Sequence, residues 1–188
     1  ESHQIVISRA KAKVCFPANF QLIAALNPSP TGHYQGEMSR TSPAKVLRYL
    51  SRISGPFLDR FDLSIEIPLL PLGTLSQQTH QGEASKQIRL RGIEARNQQI
   101  NRAGKINSQL TASETTKTCL LAAEDALFLE NALIKLGLSI RAWHRILRVS
   151  RTIADLSYSP NIQREHLLEA LGYRAMDKLL LHLQKQVS

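Results

Sequence analysis

Leu22-Ile23-Ala24-Ala25-Leu26-Asn27-Pro28 is an apolar run closed by an amide and a proline. It lacks polar–apolar alternation, as expected of a strand covered on both faces. An amide ending such a strand lies at the carboxyl edge of a parallel sheet, where open α/β folds bind ligands. Further along, Gly55-Pro56-Phe57-Leu58-Asp59-Arg60-Phe61-Asp62 opens a second strand pattern. There Phe61, Leu63, Ile65 and Ile67 alternate with Asp62, Ser64 and Glu66. Arg60 is permanently charged and stands at the mouth of that strand, where it can meet a phosphate.

Upstream, Gln4-Ile5-Val6-Ile7-Ser8 and Lys13-Val14-Cys15-Phe16 flank the polar Arg9-Ala10-Lys11-Ala12 and read as a β-hairpin with a basic tip. Arg9, Lys11 and Lys13 alternate in sequence, so an extended chain would set them on one side. Residues 28–42 form a loop rich in Pro, Gly, Ser and Thr. Pro43 suits the first position of a helix opening at Ser42 and running to Arg52, which Gly55-Pro56 breaks.

Pro68-Leu69-Leu70-Pro71-Leu72-Gly73 is a stiff connector, beyond which every segment reads as helix. The expected helices span 80–103, 115–136, 139–157, 163–171 and 175–184, separated by Gly104, Gly137 and Pro160. The chain therefore divides into an α/β part (1–67), a linker (68–79) and an all-α part (80–188). Within 139–157, Ile140, Trp143, Ile146, Leu147, Ser150, Ile153 and Ala154 gather on one side, and Arg141, Arg145, Arg148 and Arg151 on the other. Ser139 is the expected N-cap, which puts Arg141 in the first turn, where the helix dipole disfavours a cation. A residue that breaks a local preference is a candidate for ligand contact. Arg145, Arg148 and Arg151 read as solvated or subunit-facing charge. His144, beside Trp143, reads as structural.

The chain has 188 residues, 43% of them hydrophobic, and a net charge of +9. That excess favours polyanion partners, nucleic acid among them. With no signal peptide and no apolar run approaching the roughly 18 residues of a membrane span, a soluble chain is expected. Cys15 and Cys119 match no metal or disulfide spacing and suit a reducing cytoplasm. The first residue is Glu, so a fragment of a longer protein is expected.

Four stretches carry a resemblance: Ile5-Val6-Ile7-Ser8-Arg9-Ala10, the run from Phe16 to Pro28, the run from Gly55 to Asp62, and Arg141-Ala142-Trp143-His144-Arg145-Ile146-Leu147-Arg148 continuing to Leu156. In this order they resemble AAA+ ATPases of the magnesium-chelatase-like group, specifically its ComM (YifB) branch. The resemblance implies the distal part of an AAA+ core (hairpin, two core strands and the helix between them) followed by a helical lid. It implies a cytoplasmic, hexameric, ATP-driven DNA helicase for branch migration in natural transformation. Asn27 matches sensor 1, which would orient the attacking water. Arg60 matches the arginine finger, acting on a neighbouring subunit's nucleotide, and Arg141 matches sensor 2, acting on its own. The hairpin matches an insertion that projects into the central pore, so Arg9, Lys11 and Lys13 are the expected contacts to DNA phosphates, without sequence reading.

No Gly-x-x-x-x-Gly-Lys-[Ser/Thr] occurs, and no apolar strand ends in an acidic pair. The resemblance places both upstream of Glu1, with ATP and Mg²⁺ held by the full-length protein. The fragment alone is expected to be inactive, with no tightly bound nucleotide. Many relatives carry four zinc-binding cysteines where this chain has Ser29, Thr31, Ser39 and Thr41, so no zinc site is expected; His33 alone does not replace one. The rival readings are a motor subunit acting on a protein partner in metal chelation, and a non-enzymatic nucleic-acid-binding module using its Arg-rich helix.

Overall fold

A computed structural model describes residues 4–9, 12–32, 41–68, 70, 72–73 and 82–187. Expectations at Lys11, His33, Ser39 and 74–79 lie outside the described residues. The chain divides by packing into two compact units, 1–41 and 42–188.

In the first unit, β1 (Gln4–Arg9) and β2 (Ala12–Pro17) pair antiparallel as a two-stranded sheet. Their β-branched and apolar residues suit a pleated ribbon. The register sets Ile5 opposite Phe16, Ile7 opposite Val14 and Arg9 opposite Ala12, whereas Lys13 lies opposite Ser8. Directly paired residues share a face and successive ones alternate, so Arg9 and Lys13 point to opposite faces. The expectation of a one-sided basic row is corrected: alternation along one strand does not continue across a turn.

The two expected core strands are unpaired as strands among the described residues. Residues 18–27 run without regular structure, and 61–67 make a single parallel bridge, Ser64 to Arg174. Phe20, Leu22 and Ile23 are exposed, Ile23 by 84%, as are Leu63, Ile65 and Ile67. A strand needs a hydrogen-bonded neighbour along its length, and among the described residues neither segment has one. The observed architecture is thus mostly helical with a small two-stranded sheet.

The second unit begins with α1 (Pro43–Leu50), whose Val46 and Leu50 are buried and which ends before Gly55-Pro56, followed by the single turn α2 (Gly55–Leu58), capped by Ser54. Next come α3 (Ser85–Ala103), α4 (Ala112–Thr118), α5 (Ala123–Leu136), α6 (Ile140–Leu156), α7 (Arg164–Gly172) and α8 (Ala175–Val187). Because α1 packs on α8, residues 42–67 group with the helices rather than with the hairpin. The helix expected over 115–136 is two helices. Its first half starts earlier, at a Thr111–Glu114 capping box, and stops at Cys119 after a Thr-rich turn. Thr115 and Thr116 turn their hydroxyls back onto the carbonyls of Thr111 and Ala112, a bonding pattern that weakens helix continuation.

Gly137 ends α5 in the left-handed region (φ 63°), its N–H donating to Ile134 and that of Leu138 to Leu133. The chain then turns directly into α6, the centre of the unit, which touches α3, α4, α5 and α7. Ala142, Ile146, Leu147 and Ile153 of α6 join Leu129, Leu133, Leu167 and Leu171 in one core. Burying side chains of this size stabilises by about 1.5–3 kcal/mol each.

Candidate functional site

The site forms where the turn after α2 meets the first half of α6. Ser139 caps α6 as expected, accepting from the Ala142 N–H at 3.4 Å, and its hydroxyl donates to Asp59 Oδ2 at 3.0 Å. Arg145, two turns on, donates Nη1 to the Arg60 carbonyl and to Asp62 Oδ1 at 3.0 Å. From the start of α8, Arg174 Nη1 reaches the Phe61 carbonyl at 2.9 Å. Phe57 and Phe61 meet edge to face with centroids 5.2 Å apart. Ser64 then locks the strand-like stretch: its N–H donates to the Tyr173 carbonyl at 2.7 Å, and its carbonyl accepts from Ala175 at 3.1 Å. Backbone or side chain of residues 59–62 is thus held at every position, while the Arg60 side chain is exposed.

Arg141 is also exposed and lies one helical turn before Arg145, on the same face of α6. The structure therefore brings Arg60 and Arg141 to one edge of the helical unit. Asn27 belongs to the other unit, exposed, at the end of a segment without regular structure. Arg9 and Lys13 are exposed on the hairpin.

Two of the remaining arginines of α6 correct the expectation of solvated or subunit-facing charge. Arg145 and Arg151 are buried, 7% and 3% exposed, and Arg148 donates to the Leu110 carbonyl at 2.9 Å. Arg151 bonds Asp155 Oδ1 at 3.0 Å and the carbonyls of Ser159 and Pro160. Asp155, also buried, receives both Arg102 Nη atoms at 2.7 and 2.8 Å and Asn107 Nδ2 at 2.9 Å. The hydrogen bond to Asp155 raises the Arg102 pKa, while burial lowers that of Arg151. Burial also pushes the neighbouring Cys119 thiol up to about 11 and, against the pull of Arg174 at 2.7 Å, raises the Asp177 carboxyl.

His166 has a partner that sequence did not name: its Nδ1 accepts the Gln163 N–H at 2.9 Å, capping α7. The signal for this network was the Arg151–Asp155 spacing of one turn; Arg102 and Asn107 come from other elements and left no local trace. Of the hydroxyl positions in the loop after Pro28, Ser29 is buried and lies 3.2 Å from Thr31, which is 2.8 Å from Thr41. The three hydroxyls bond to one another. Among the described residues no group of three or more His, Cys, Asp or Glu could hold a metal. No helix among them is long and apolar enough to cross a membrane.

Comparison with known families gives two matches: the model described as magnesium chelatase, subunit ChlI, over residues 1–75, and its C-terminal counterpart over residues 82–174. Competence protein ComM of Haemophilus influenzae is 60% identical over 183 residues, covering 97% of this chain and 36% of that protein. YifB of Escherichia coli is 57% identical over 185 residues, 98% of this chain and 37% of that protein. A Mycobacterium tuberculosis protein is 31% identical over 178 residues, 93% of this chain and 35% of that protein. The chain spans about a third of the length of these relatives. With both halves matched in order, this chain belongs to the magnesium-chelatase-like family of the ComM and YifB proteins.

Proposed function

We propose that this chain is the part of an ATP-hydrolysing motor that presents cations to a nucleotide shared between subunits. The carrying observation is that Arg60 and Arg141 occupy one edge of one compact unit, joined through the Ser139–Asp59 bond and the Arg145–Asp62 ion pair. Two guanidiniums so placed neutralise charge growing on a transferred phosphoryl group. A finger serves a neighbour's nucleotide; Arg141, beside it, then serves that same nucleotide, not the one bound by its own subunit.

Asn27 would act as the water-orienting amide. The phosphate cradle and the Mg²⁺ carboxylates, absent from this sequence, would come from the rest of a full-length protein. The uncovered segments at 20–26 and 61–67 would pair there as strands of an AAA+ core. DNA is the proposed track. The relative in Haemophilus influenzae is named a competence protein, and a +9 chain with exposed Arg9 and Lys13 suits phosphate contacts on both hairpin faces. We carry over from the resemblance a hexameric ring moving branched DNA in the cytoplasm during transformation. The family descriptions also name a chelatase subunit; stimulation of turnover by branched DNA separates the two readings.

The decisive experiment uses full-length subunits. Arg60→Ala should retain ATP binding and lose roughly 10³–10⁵ in turnover, the range for a removed finger. Mixing Arg60→Ala with Arg141→Ala subunits should restore nothing, because every site then lacks one cation. Restored turnover would return Arg141 to its own subunit's nucleotide, and unchanged turnover in Arg60→Ala would end the motor reading of this site.

A further inference from the structure

We propose that Arg145 is the positioning residue of the Arg60 turn, fixing it to α6 so that the two exposed guanidiniums move as one body. The inference rests on the reading of Arg60 as a cation acting on the neighbour's nucleotide. Arg145 is 7% exposed although it lies on a helix whose charged face was expected in water. Taking a guanidinium out of water is unfavourable by several kcal/mol unless its protons are bonded. Here Nη1 donates to the carbonyl of Arg60 itself and to the carboxylate of Asp62, both just after the Arg60 side chain along the chain.

Arg174 takes the carbonyl between them, and Ser139 takes Asp59. The backbone around Arg60 is therefore pinned by side chains of α6 and of the residues that open α6 and α8, while Arg60 is exposed. Core packing needs no such arrangement: an apolar residue at 145 would bury as well, without two acceptors aligned to the turn. Because Arg141 and Arg145 share a helix face, the spacing of the two exposed arginines is set by the α6 backbone and the two bonds of Arg145 Nη1.

The test is a double-mutant cycle on turnover by the full-length protein, with KM for ATP measured alongside. A misplacement of about 1 Å is worth up to about 100-fold. Arg145→Met should accordingly lower kcat by about tenfold or more, change KM little, and have no further effect in an Arg60→Ala background. An unchanged kcat, or an equal drop in both backgrounds, overturns the inference, because the residue would then act on the fold and not through Arg60. Should Arg145→Met fail to fold, Asp62→Asn removes the ion pair alone and is read by the same cycle, an unchanged kcat again overturning it. If Arg60→Ala by itself leaves turnover intact, the reading of Arg60 fails first and takes the coupling with it.

Discussion

Asp155 shows at the level of single residues why half of the α6 arginines were misjudged from sequence. It is buried and receives Arg102, Arg151 and Asn107. Removing it leaves two guanidiniums facing each other without a counter-charge. Breaking a buried pair in this way is unfavourable by about 3–5 kcal/mol, so Asp155→Ala should lower the urea midpoint of the chain by a corresponding amount. A loss under 1 kcal/mol would show that water compensates. Arg60 and Arg141 sit in recognisable runs of sequence and are both exposed. The burial of Arg145 and Arg151 left no such trace. Amphipathic periodicity sorts a helix into a wet and a dry side, and α6 has neighbours around most of its circumference.

Elements whose ends carry their own chemistry were the more legible. Ser139 caps α6, Pro43 opens α1 and Gly104 and Gly137 close α3 and α5, all from local signals. The capping box of α4 was missed, although Thr111 and Glu114 have the right spacing. Its electrostatics can be measured. Lys105, at 2.8 Å, and the Thr111 backbone and hydroxyl bring Glu114 down from 4.5 to about 2. A folded-state pKa below the unfolded one gives stability that is present above 4.5 and lost as pH falls toward 2. The thermal midpoint should therefore fall across that window, and fall less in Glu114→Gln; identical profiles would remove Glu114 from the acid response. The strands failed for the opposite reason. Apolar alternation states which side chains want cover, but pairing needs a partner that no local pattern supplies.

For the molecule as a whole, the consequence of those unpaired segments is exposed apolar residues at Phe20, Leu22, Ile23 and Leu26, with Ile23 84% accessible. Such a surface is a template for another chain. The isolated 188-residue chain should associate with itself in sedimentation, and Ile23→Lys should shift it toward monomer; a wild-type chain monomeric at every concentration would contradict this. The division into two units at 41/42 was also hidden, since the family models change between 75 and 82, while α1 packs on a helix from the far end of the chain. One contact has a consequence in time. Ser64 is fixed by Tyr173, Ala175 and Met176, so the turn bearing Arg60 cannot close until more than a hundred further residues have left the ribosome. If Arg60 acts on a neighbour's nucleotide as proposed, a subunit still being synthesised would thus carry an unformed trigger.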